Sequence, residues 1–78
     1  VKLTAQSDVL PGSHFVKYWR WVDAGSGDDL VVSDADGNEI AVSKANTDNY
    51  CETIPYLEQV KDAVVTTLDA GTLYVCIG

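Results

Sequence analysis

Apolar and polar residues alternate along much of this chain, and Gly, Asn, Asp and Pro interrupt the alternation at short intervals. A period of two puts successive side chains on opposite faces of an extended strand. Val1-Lys2-Leu3-Thr4-Ala5 alternates strictly and predicts a first strand ending near Leu10-Pro11-Gly12, whose Pro-Gly pair signals a type II turn. A second strand is predicted from His14 to Val22, with Phe15, Lys17, Trp19 and Trp21 on one face and Val16, Tyr18, Arg20 and Val22 on the other. Aromatics on both faces imply a strand that is central in its sheet or that turns one face to another chain.

Asp23 to Asp29, with Gly25, Ser26 and Gly27, reads as a polar loop. Leu30-Val31-Val32 and Ile40-Ala41-Val42 then flank Asp34-Ala35-Asp36-Gly37-Asn38, the clearest hairpin, because Asp-Gly readily supplies the positive φ angles of a tight turn. Ala45 to Asn49 leads to a short strand at Tyr50 to Ile54, which Pro55 is expected to terminate for want of an N–H. Leu57, Val60, Lys61 and Val64 have helical spacing, but the β-branched run Val64-Val65-Thr66-Thr67 loses rotamer freedom in a helix. A turn followed by a strand over Lys61 to Leu68 is therefore predicted. A last hairpin returns through Asp69-Ala70-Gly71 to Thr72–Ile77, with Leu73, Val75 and Ile77 facing one way and Thr72, Tyr74 and Cys76 the other. Together these elements predict an all-β chain: a small antiparallel β-sandwich or barrel of about six to eight short strands, forming a single domain over residues 1–78.

Composition agrees with strands. Val, Ile and Thr fill 20 of the 78 positions, Met is absent, and 46% hydrophobic content is too high for disorder despite a net charge of −7. That charge, with a pI near 4.2, argues against nucleic acid as a partner. The five basic residues, Lys2, Lys17, Arg20, Lys44 and Lys61, stand singly in the sequence. No run of 18 apolar residues is present, so no membrane span is predicted. A chain this short hides only roughly 60% of its unfolded surface and is expected to draw stability from a disulfide, a partner or a homo-oligomer.

Candidate chemistry is sparse. His14 is the only histidine; Ser13, His14 and an Asp could be written as a triad, but no G-x-S-x-G elbow accompanies them, and no catalytic residue, metal or cofactor is expected. Asp34, Asp36, Asn38 and Glu39 around Gly37 invite a calcium reading. However, an EF-hand register would place Val32 first and Ser43 twelfth, so a hairpin turn is the better account. Cys51 and Cys76 lack a second pair and either form a disulfide or remain two separate thiols. The run Tyr18-Trp19-Arg20-Trp21 is the most pointed feature: its indoles are core residues, or the run is a partner-binding hot spot, or a platform for stacking sugars with help from Asp28 and Asp29. The edge of Thr72–Ile77 is a further candidate, for strand addition by a partner.

Trp19-x-Trp21-Val22, a Gly-rich loop, Leu30 through Ile40, Asn49-Tyr50, and Thr67-Leu68-Asp69-Ala70-Gly71-Thr72-Leu73-Tyr74-Val75 occur in an order that resembles small structural proteins encoded among the virion genes of tailed bacteriophages. The resemblance runs from Phe15 onward. It implies a non-enzymatic virion protein made in the host cytoplasm, a capsid decoration protein or a small head or tail attachment protein, with other virion subunits as partners. A carbohydrate-binding module or adhesin fragment is the alternative.

Overall fold

The computed structural model describes residues 1–78 and contains six strands: β1 (Lys2–Leu3), β2 (Val9–Ala24), β3 (Asp29–Ser33), β4 (Glu39–Lys44), β5 (Tyr50–Leu68) and β6 (Thr72–Ile77). All pairings are antiparallel, in one sheet of order β1-β6-β2-β5-β3-β4. The expected all-β architecture is present, but two strands are long, at 16 and 19 residues. Together β2 and β5 form a ribbon that pairs from Val9↔Val64 to Ala24↔Tyr50. β6 flanks the second half of β2 from Val16 to Val22, with β1 outside it. β3 flanks the end of β5 from Val64 to Leu68, with β4 outside it.

The added strands thus sit on opposite edges and at opposite ends of the ribbon. Register shifts at Leu10/Ser13, Val16/Tyr18 and Trp21/Ala24 each insert an unmatched residue, which raises local twist and bends the strands. The inner faces of the two halves then meet. Trp19, Trp21, Leu73 and Val75 come from one half and Leu30, Val32, Ala41 and Val65 from the other, in a single buried cluster. The Ser43 hydroxyl of β4 donates to the Glu52 carboxylate of β5, a bond between strands that are not sheet neighbours.

Several expectations need correction. Pro11-Gly12 does not turn the chain. The pair lies inside β2, where two residues, Pro11 and Gly12, oppose the single Asp62 of β5, and Gly12, at φ +82°, donates its N–H to the Asp62 carboxylate at 2.7 Å. Pro55 does not end a strand either. It lies opposite Tyr18 on a stretch of β5 that β3 does not reach, and a strand with one side unpaired tolerates a residue without an N–H. The turn placed between Ile54 and Lys61 is instead a continuous strand, irregular at Leu57 (φ 59°) and Asp62 (φ 49°).

The two faces predicted for β2 are also rearranged. The register shift at Lys17 changes the alternation, so Val16 joins Trp19 and Trp21 inside, while Phe15, Lys17, Tyr18 and Arg20 lie outside. In β6, Leu73 and Val75 are buried as expected, but Ile77 is exposed at the end of the strand.

Candidate docking face

The tetrapeptide picked out by sequence is divided by the pleat. Trp19 and Trp21 are fully buried; they are the largest core side chains and offer nothing to a partner of the folded domain. Trp21 Nε1 donates to the Ala70 carbonyl at 3.0 Å, tying β2 to the β5–β6 turn, whereas Trp19 Nε1 is buried without a partner. Each indole meets a tyrosine edge-on at 5.8 Å between centroids: Tyr56 for Trp19 and Tyr50 for Trp21. The sugar-stacking alternative loses both its indoles, and Asp28 accepts the Gly25 N–H within its own loop.

Tyr18 and Arg20 do face outward, and the register shows what stands beside them. Lys2, Tyr74, Arg20 and Thr53 form one row across β1, β6, β2 and β5, and Cys76, Tyr18 and Pro55 form the next. Directly opposed residues in antiparallel strands share a face, so these rows lie on the outside of this half of the sheet. Tyr18 is 37% exposed and Tyr74 42%. Arg20 Nη1 donates to Thr53 Oγ1 at 2.9 Å, which fixes one edge of the guanidinium and leaves its other donors outward. The neighbouring Cys76 thiol raises the Tyr18 hydroxyl above the ordinary tyrosine range, only partly opposed by the positive charge of Arg20. Lys17 emerges beside these rows at the register shift.

None of these outward positions carries a carboxylate, although the chain has 12 Asp and Glu. Two of its five basic residues, Lys2 and Arg20, stand in these rows, and a third, Lys17, is exposed beside them with its stem against Gly78. One-dimensional spacing hides the grouping, because Lys2 reaches Arg20 only through strand order. Tyr, Arg and a lack of acids are the composition of interface centres.

The remaining sequence candidates lie elsewhere. Cys51 and Cys76 are free. Cys76 is level with Tyr18 and Pro55, four residues along β5 from Cys51 and two strands across. At about 3.3 Å per residue and 4.8 Å per strand their separation is roughly 16 Å, far beyond disulfide reach. Of the two alternatives, the disulfide is thus excluded within one chain and two separate thiols remain. Alkylation under non-reducing conditions is expected to modify two thiols per chain in the mass spectrum; an unmodified pair of lower mass would contradict this placement.

The Thr72–Ile77 edge is also not free, since β1 covers it at Leu73 and Tyr74, and Val1 exchanges backbone and terminal hydrogen bonds with Val75. His14 Nε2 donates to the Pro11 carbonyl at 2.9 Å, a contact internal to its own strand. Asp34 accepts from the N–H groups of Asp36 and Asn38 and from the Asn38 amide, and the backbone bond from Asn38 chiefly holds its carboxyl below the ordinary aspartate range. Both its oxygens are committed to the hairpin turn. A cleft of about 310 Å³ lies between this turn and the irregular centre of β5, lined by Tyr56, Gln59 and Lys61 among others. Tyr56 is held above the ordinary tyrosine range there, first by burial and then by Glu58 and Asp34.

No family model, curated protein or solved structure matches the chain.

Proposed function

We propose that this chain is a non-enzymatic structural protein of a tailed-bacteriophage virion, either a capsid decoration protein or a small head or tail attachment protein. The observation that carries the reading is the outward face of Tyr18, Arg20 and Tyr74, free of carboxylates on a chain of charge −7. Such a face suits a flat protein surface better than a small ligand, because it is a sheet exterior rather than a pocket. The order of motifs from Phe15 onward supplies the virion context, and a small domain with a modest core gains stability from the surface it covers.

Other virion subunits and further copies of the chain are the partners in this reading. The test is to purify particles from infected host cells, count copies per particle by quantitative mass spectrometry, and locate the density by electron microscopy. A fixed stoichiometry, lost from particles carrying Arg20→Glu with Tyr74→Ala, is the expected result. Absence of the wild-type chain from purified particles would overturn the proposal.

A further inference from the structure

The rows Lys2–Tyr74–Arg20–Thr53 and Cys76–Tyr18–Pro55 carry two cations and no acid, Lys17 is exposed beside them with its stem against Gly78, and carboxylates are gathered at one end of the same molecule. There β2 ends, β5 begins, and the β5–β6 turn closes against Trp21. Asp28, Asp29, Asp48 and Asp69 meet at this end through a set of loop contacts, and Asp23 is exposed beside them at the end of β2. Asp28 accepts from Gly25 N–H at 2.7 Å, Asp48 from Ser26 N–H at 3.2 Å, and Asp69 from Asp29 N–H at 2.8 Å. The nearest cation is Lys44, paired with Asp29 at 3.5 Å. These bonds hold the carboxylates in place, and each leaves its second oxygen available to a donor.

From this we infer that the chain associates with itself head to tail, the aspartate-rich end of one copy seating on the Lys2–Tyr74–Arg20 face of the next. The inference rests on the reading of that face as a docking face and names its occupant. Net charge does not forbid the contact. At physiological ionic strength charges beyond about 8 Å are largely screened, so the groups at the contact decide the sign. Those groups are cations and tyrosines on one surface and carboxylates on the other.

Because the two surfaces differ, the contact is heterologous, and every copy keeps one free face and one free end unless a ring closes. The face measures roughly 300 Å², from about 4.8 Å per strand and 3.3 Å per residue. An interface of that size is weak and fills only at high local concentration, as on a lattice of subunits.

Sedimentation velocity of the full chain at about 0.15 M salt tests this. The wild type is expected to sediment faster as its concentration rises. A face variant, Lys17→Glu with Arg20→Glu, and an end variant, Asp23→Asn with Asp48→Asn and Asp69→Asn, are each expected to weaken association about tenfold or more. Asparagine keeps the acceptor oxygen that each loop bond uses, and matching thermal transitions would establish that both variants fold. Lys2→Glu, on the two-residue β1, replaces the face variant should that one fail to fold.

The decisive step is mixing. The face variant retains an intact end and the end variant an intact face, so together they form a one-to-one complex that neither forms alone. The inference is overturned by a wild type that stays monomeric throughout, by folded variants that associate as the wild type does, or by a mixture that forms no complex. Virion incorporation is scored separately, so its failure and the failure of self-association are distinguishable.

Discussion

Trp21→Ala is expected to remove about 3–5 kcal/mol of stability, the range for emptying a buried indole site. A chain of this length has in total roughly 4–12 kcal/mol, so the substitution removes from about a quarter of that stability to all of it. The indole is fully buried, packs against Tyr50, and makes the 3.0 Å bond to Ala70 that anchors the turn between the long ribbon and β6. Removing it opens a cavity and strands a carbonyl together. Urea titration followed by circular dichroism measures the effect, and a loss under about 1 kcal/mol would show that the core does not depend on this side chain.

The two indoles are not equivalent, and phenylalanine separates them. At Trp19 the smaller ring leaves a modest void, but it also removes an N–H that is buried with no acceptor. Void and relief are each on the order of 1 kcal/mol, so Trp19→Phe is expected to be close to neutral. Trp21→Phe makes the same void and in addition leaves the Ala70 carbonyl unpaired, so it costs more.

Gly71→Ala is the second large effect. Gly71 sits at φ +84°, and a Cβ there would collide with the Val22 carbonyl oxygen while lying 3.1 Å from both Ala24 N and Trp21 Nε1. Neither obstacle yields readily. Val22 is paired to β6 at Thr72, and Ala24 to β5 at Tyr50. Adding the left-handed backbone cost of about 1–3 kcal/mol to the clash, the substitution is expected to cost at least about 3 kcal/mol. Gly37→Ala is the control, since Gly37 has a similar φ of +86° and nothing near its Cβ position. It pays the backbone term alone. Equal losses in the two variants, read from the same denaturant titration, would refute the steric argument.

The hairpin at Asp34–Asn38 was legible because its signal is local, a turn residue that tolerates positive φ between two apolar runs, whereas the turn at Asp69–Gly71 closes no hairpin: β6 leaves β5 and pairs with β2 and β1 instead. That Trp19 and Trp21 share one face was legible for the same reason, as a period of two, but as partner-binding anchors they fail, since both are fully buried. What escaped were the irregularities. Lys17 carries no mark that it shifts the register, yet it moves Val16 inside and Phe15 outside. Pro11 and Pro55 look like strand breakers until the sheet order shows that their stretches of β2 and β5 each have a neighbour on one side only. Of the docking face, Tyr18 and Arg20 were found. Lys2, Lys17 and Tyr74 were not grouped with them, since strand pairing across the whole chain length brings them together.

The ribbon of β2 and β5 has a kinetic consequence. Its partners are joined through the segment that contains β3 and β4, so its central pairings cannot form until a long loop has closed against chain entropy. The β3–β4 hairpin is local and needs no such closure, and once formed it shortens the effective tether between Ala24 and Tyr50. Folding is therefore ordered: a peripheral hairpin acts as a splint for the central one. The chain belongs with slow, topologically non-local β proteins, which fold over milliseconds to seconds rather than microseconds.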